Sequence, residues 1–262
     1  MRKIFFIIVI FLITFSGCSE FQKALKSKDY EYKYTKAIEY FDEDDWYRSQ
    51  SLINDVLPVY RGTEKAKKLY YMKAYTHYNQ SEYILAAYHF RTFIKTYPND
   101  ELTKECEFML AECFNKEAPR FNLDQQNTLK AIQGYQLFIN KYPESERTEI
   151  ANKRIEDLRQ KLEKKAFENA KLYYKVRDYK AAVIALENTL RDYPDSPYRE
   201  ELLYLIMKSN YLFARNSVDK MQKERYQETI NDYYAFVDEF PNSDKIKEAE
   251  KIFETSVEEI KN

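Results

Sequence analysis

Glycine is nearly missing from this chain. Three occur in 262 residues, where an average soluble protein at roughly 7% would carry about eighteen. Nucleotide and dinucleotide sites need glycine-rich turns so that the backbone can approach phosphate, and no such run exists. Strand-rich folds use glycine in tight hairpins, and there is no Asn-Gly, Asp-Gly or Gly-Gly pair. Histidine is scarce as well. His77 and His89 leave little material for a metal site or a general base, and both are read as structural. No HExxH or CxxC motif is present. Charge of one sign is also lacking: 42 basic residues face 43 acidic ones, a net −1, which gives no support for a nucleic-acid surface. Three cysteines form an odd set. Cys106 and Cys113 are two helical turns apart, about 10 Å and beyond disulfide reach, so both are expected to be small buried apolar residues. What survives these exclusions is a helical protein with an excess of tyrosine, 25 in all.

The N-terminus reads as an address. Met1-Arg2-Lys3 is a basic start, and Ile4 to Phe15 is an apolar run broken only by Thr14. As a helix that run spans about 18 Å, short of the roughly 30 Å hydrocarbon core. It therefore fits a signal peptide rather than a membrane span. Phe15-Ser16-Gly17-Cys18 resembles the bacterial lipobox, in which the cysteine is acylated and becomes the new N-terminus; Phe15 stands where leucine is usual. An ordinary signal peptide with an incidental cysteine is the alternative. The expected division is a lipoprotein signal peptide at 1–17, a lipidated tether at 18–28 and a folded body at 29–262.

The body repeats. Tyr97-Pro98-Asn99-Asp100 is echoed by Tyr142-Pro143-Glu144-Ser145, Tyr193-Pro194-Asp195-Ser196 and Phe240-Pro241-Asn242-Ser243. Proline disfavours helix in the residue before it and suits the start of the next segment. Asp or Ser then offers an N-cap oxygen. Fifteen residues before each proline stand Tyr83, Thr128, Tyr179 and Tyr226, and Trp46 stands in the same relation to Arg61. Twelve before are the small residues Ser49, Ala86, Ala131, Ala182 and Thr229; eight before are Ile53, Phe90, Tyr135, Leu186 and Tyr233. Small residues let paired helices approach and large ones fill the groove between them.

Anchor spacings of 37, 45, 51 and 47 imply insertions of different length in a common unit. They are placed in a loop at Ala118–Gln125, in one long, projecting, mostly solvated helix over Glu146–Tyr174 with a thin stripe of Ile150, Ile155, Leu158 and Leu162, and in a loop at Asn216–Glu224. Helix pairs at this period mean an α-solenoid, and Asp178-Tyr179-Lys180-Ala181-Ala182 resembles the tetratricopeptide repeat. The expected fold is all-α: five tetratricopeptide-like helix pairs at about 29–61, 63–98, 100–143, 145–194 and 197–241, with a capping helix at 243–262.

Solenoids present an extended face. Carried onto this chain, the face lined by the first helix of each pair includes Tyr34, Phe41, Lys68, Tyr71, Tyr75, Tyr78, Phe108 and Asn115. Tyrosines suit extended peptides: the rings add apolar area with few rotamers to freeze, and the hydroxyls reach backbone. Each ring has a competing reading as helix packing with its hydroxyl at the surface. Arg120 could dock a partner carboxylate or be a plain surface arginine. Asp42-Glu43-Asp44-Asp45 reads as a solvated inter-helix turn, with a cation or partner patch as the alternative. No cofactor, metal or catalytic residue is expected.

Cys18 to about Glu254 resembles the BamD family, the repeat lipoproteins of the outer-membrane β-barrel assembly machinery, and most of all its Bacteroidota members. The specific stretches are Tyr60–Ala66, Ala118–Gln125 and Lys165–Tyr174, together with the lipid cysteine. The resemblance implies a non-enzymatic scaffold, lipid-anchored on the periplasmic face of the outer membrane. It implies binding of the central barrel subunit through the C-terminal repeats and of unfolded barrel precursors through the N-terminal ones. The peptide-binding residues named above come from solenoid geometry, not from a family motif. Another repeat lipoprotein scaffold, of pilus assembly or cell division, is the alternative.

Overall fold

The computed structural model describes residues 20–261. The expected signal peptide and Cys18 lie outside the described residues. Among the described residues there are helices and no strands. A helical segment, α1, is described over 20–26, and eleven longer helices follow. They are α2 (Tyr30–Asp42), α3 (Trp46–Tyr60), α4 (Glu64–Asn79), α5 (Tyr83–Thr96), α6 (Glu101–Lys116), α7 (Gln126–Lys141), α8 (Thr148–Lys175), α9 (Tyr179–Asp192), α10 (Arg199–Arg215), α11 (Asp219–Glu239) and α12 (Ile246–Lys261). The expected tether is therefore ordered over most of its length. Phe21 and Ala24 are buried against Ala37, Leu52 and their neighbours, because α1 carries apolar residues at a helical spacing.

Two kinds of turn join the helices. After each Tyr-Pro or Phe-Pro pair, the third residue on returns its N–H to the aromatic carbonyl: Asp100 to Tyr97, Ser145 to Tyr142, Ser196 to Tyr193 and Ser243 to Phe240, all at 3.0–3.2 Å. The same Asp100, Ser145, Ser196 and Ser243 side chains accept a backbone N–H two residues further on. Asp100 is thereby the N-cap of α6, as assigned from sequence, whereas Ser145, Ser196 and Ser243 make the same bond within the turn, three residues before their helices begin. The second kind lies inside pairs. Asp44, Ser81 and Arg177 hold the left-handed conformation (φ 60°, 62° and 66°), each two residues before the aromatic anchors Trp46, Tyr83 and Tyr179. In each, the next N–H reaches back five residues: Asp45 to Tyr40, Glu82 to His77 and Asp178 to Tyr173. This is the Schellman pattern, which favours glycine. Here it is built without one. The acidic run belongs to such a turn, with Asp45 capping α3 through the Arg48 N–H at 3.1 Å.

The small residues sit where helices cross. Ser49, Ala86, Ala131, Ala182 and Thr229 are all fully buried. Of the large set, Ile53, Phe90, Tyr135 and Leu186 are also fully buried, while Tyr233 stacks on Phe253 of α12 at 4.4 Å. Tyr71 meets Phe93 and Tyr75 meets Phe90, so one index falls as the other rises and α4 and α5 run antiparallel. The fold is an all-α, tetratricopeptide-like solenoid.

The chain forms two compact units. The first holds the described residues up to Pro119 together with Asp124–Leu158; the second holds Arg120–Leu123 with the described residues from Arg159 onward. Two expectations about the insertions need correction. α8 is 28 residues long, but it is not mostly solvated: Ala151, Ile155 and Leu158 are core of the first unit, and Phe167 and Ala170 are core of the second. Ile150 is exposed instead, because the buried stripe runs through the smaller Ala151. The last insertion keeps a short turn at 216–218 and is otherwise helix. α11 starts at Asp219 and runs for 21 residues, since Asp219–Glu224 contains no glycine or proline and Gln222 caps back to the Ser217 carbonyl at 2.9 Å.

Candidate functional site

The aromatic face lies in the first unit, on α2, α4 and α6. Tyr71 and Tyr75 are one turn apart on α4, with ring centroids 4.8 Å apart. Their inner edges pack on Phe93 and Phe90 of α5. Their hydroxyls point the other way, into a polar cluster. The Tyr75 hydroxyl donates to Oε1 of Glu105 on α6. Nη2 of Arg147, in the turn before α8, donates to the same oxygen at 2.6 Å. The Arg147 guanidinium also lies 4.6 Å from the centre of the Phe108 ring. Burial and the neighbouring Glu105 carboxylate push the Tyr75 hydroxyl far above its ordinary pKa. Burial raises Tyr71 as well.

The pattern recurs seven residues on. The Tyr135 hydroxyl of α7 donates to Oε1 of Glu112 at 2.6 Å, and Nε of Arg154 on α8 donates to that oxygen at 3.1 Å. Seven residues is two helical turns, so Glu105 and Glu112 lie in one row on α6 and meet a matching row of arginines. The Glu112 charge holds Arg154 more firmly protonated. Asn115 reaches the Tyr135 hydroxyl. Tyr78, pushed up to about 12 by burial, packs edge-on against Tyr83 at 5.4 Å.

The structure thus brings Tyr71 and Tyr75 of the sequence-assigned set into contact, while Tyr78 packs on Tyr83 and Asn115 lies by the Tyr135 hydroxyl. It separates the others. Tyr34 packs on Tyr60 at 5.5 Å under the Lys65 ammonium, which is 4.9 Å from its ring. Phe41 packs edge-on against Trp46 at 5.2 Å. Lys68 is exposed. Phe108 is only 3% exposed and is a core residue rather than a contact surface, because its ring fills the space between α6 and α7 against Phe138. Arg120 is exposed on the insertion loop. Within the second unit that loop is held by α8: Lys165 donates to the Leu123 carbonyl, and the Lys164 ammonium lies 4.8 Å from the Phe121 ring.

Sequence reasoning missed the four charged residues, Glu105, Glu112, Arg147 and Arg154. The only signal is the shared seven-residue spacing in two segments 42 positions apart. It also missed a carboxylate beside His77: Glu82 Oε2 stands 2.6 Å from its Nδ1, and the His77 ring stacks on His89 at 4.8 Å. Cys106 and Cys113 are buried, and burial raises both thiols, Cys113 to about 12.

The profile of the family described as outer membrane lipoprotein, YfiO, matches residues 26–224 and 162–259. The chain belongs to this family. The matched span contains the whole aromatic face and both arginine–glutamate pairs; it does not extend to Cys18. A curated relative, outer membrane protein assembly factor BamD of Caulobacter vibrioides (strain ATCC 19089 / CIP 103742 / CB 15), is 20% identical over 190 residues. The alignment covers 72% of this chain and 62% of that protein, less than two thirds of the relative's length. YfiO membership associates the chain with the outer membrane.

Proposed function

We propose that this protein is a non-enzymatic scaffold of the outer-membrane β-barrel assembly machinery, anchored through a lipid on Cys18 to the periplasmic face. In this reading the first unit receives unfolded barrel precursors and the second docks the central barrel subunit. Family membership supports the setting. The observation that carries the binding role is the convergence of Tyr71 and Tyr75 with Glu105 and Arg147. Half-buried rings offer apolar area that is already rigid, so little entropy is lost on binding. A guanidinium has five N–H donors, and Arg147 spends one on Glu105, which leaves donors for a peptide carbonyl or carboxylate. Barrel precursors commonly end in an aromatic residue, and an aromatic side chain with a terminal carboxylate matches ring and guanidinium together.

The test is fluorescence anisotropy with labelled barrel C-terminal peptides on the full mature chain. Arg147→Ala is expected to weaken binding about tenfold, the scale of one charge-assisted hydrogen bond, in protein that circular dichroism shows to be folded at the assay temperature. Unchanged affinity in Arg147→Ala would remove this face from precursor binding.

A further inference from the structure

A second surface of the first unit lies apart from the aromatic tyrosines. Between α5, α6 and α7 lies a groove of about 780 Å³. Its floor is the crossing of Ala111 and Gly134. A Cβ on Gly134 would stand 2.9 Å from that of Ala111, so the two helices touch backbone to backbone there and the floor is sunk. Ile94, Leu110, Phe114 and Leu137 form apolar walls, and Leu137 is 61% exposed. Contiguous apolar lining in a concave site with a polar rim is the character of a contact surface.

The rim is basic. Arg91 from α5 and Lys130 from α7 approach the same Phe114 ring, at 5.8 and 5.7 Å, and neither has an ion-pair partner among the described residues. Lys141 also lines the groove and is paired with Glu107 at 2.7 Å. Three cations face one carboxylate, on a chain whose net charge is −1. Because α6 and α7 are helices, their backbone groups are internally satisfied and offer nothing to an extended strand. An incoming helix brings its own satisfied backbone. From Lys130 to Lys141 the wall is about 16 Å long, room for three turns.

We infer that this groove docks an acidic amphipathic helix of a partner protein, its apolar stripe on Leu110, Phe114 and Leu137 and its carboxylates on Arg91 and Lys130. The probe is a labelled 16-residue Leu/Ala/Glu peptide with leucine on one helical stripe and glutamate beside it. The control carries lysine in place of glutamate. On the full mature chain the glutamate peptide should bind saturably and at least tenfold tighter than the lysine peptide. Arg91→Glu with Lys130→Glu should reverse that preference, and Leu137→Glu should weaken both peptides. All three positions are exposed, so circular-dichroism melts should not move; Arg91→Ala with Lys130→Ala is the milder second variant and should abolish the preference. Equal binding of the two peptides, or an unchanged preference in the charge-swapped protein, would overturn the inference. So would self-association in sedimentation velocity that Leu137→Glu abolishes, because the occupant would then be a second copy of this chain.

Discussion

Glu105 and Arg147, 42 residues apart in sequence, share a hydrogen bond of 2.6 Å, and the Tyr75 hydroxyl closes on the same carboxylate oxygen. The equivalent contact joins Glu112, two turns along α6, to Arg154 on α8. Together they tie α4, α6, α7 and the start of α8 with polar contacts at the edge of an otherwise apolar core. Each carboxylate is shared between an arginine and a tyrosine, so removing one partner leaves the others incompletely satisfied.

The Tyr135 hydroxyl tests that arrangement in its most buried case. Tyr135 is fully buried and its hydroxyl donates to the Glu112 carboxylate at 2.6 Å. Tyr135→Phe keeps the ring and deletes the bond, and should cost about 1.5–3 kcal/mol in urea denaturation. A midpoint equal to the parent's would mean the hydroxyl contributes nothing.

The turn inside the fourth helix pair predicts a gain. Arg177 is exposed and holds φ 66°, a conformation that costs an L-residue about 1 kcal/mol or more. Arg177→Gly should therefore stabilise the protein by about 1 kcal/mol despite glycine's greater freedom when unfolded. Arg177→Ala, which keeps the Cβ, should not. Equal midpoints for the two variants would show that the strain is absorbed elsewhere.

At Gly134 the sign reverses. Alanine is better in a helix than glycine by about 1 kcal/mol, yet its Cβ would meet Ala111 Cβ at 2.9 Å. Neither methyl can rotate away, so Gly134→Ala should be net destabilising by roughly 1–3 kcal/mol. Adding Ala111→Gly should recover part of that loss in a double-mutant cycle. Additive effects of the two changes would contradict the crossing.

Acid should weaken the first unit through His89. Burial, with help from Lys73 and the stacked His77, lowers its pKa from 6.5 to about 4. The unfolded chain then takes up a proton that the folded chain refuses, so stability is highest above pH 6.5 and is lost as pH falls toward 4. His89→Gln should flatten the slope between pH 6.5 and 5, measured by chemical denaturation. An unchanged slope would mean that other groups set it.

The repeat was legible because its rules are local. A helix crossing admits only small residues, and Ala86, Ala131 and Ala182 mark it at fixed distance from each proline. The turn bonds of Asp100, Ser145, Ser196 and Ser243 follow from neighbours two residues away. The glycine deficit proved deeper than proline turns alone explain, since Asp44, Ser81 and Arg177 occupy positions that favour glycine. The site was legible in part. Tyr71 and Tyr75 carry a helical spacing, but Glu105 and Arg147 meet only through the tertiary fold. Phe108 sits on the same helix face as Asn115 and looks alike in sequence, yet the close approach of α7 buries it. The segment at 219–224 has the charged, polar composition of a loop and forms helix, because nothing in it interrupts one.

The scaffold role is tested most directly by affinity purification of the full-length, membrane-resident protein at native expression after mild in-membrane crosslinking. The expected result is co-recovery of the central barrel subunit of the assembly machinery, crosslinked through residues of the second unit. Recovery of the protein without that subunit, or in a complex of unrelated envelope machinery, would contradict it.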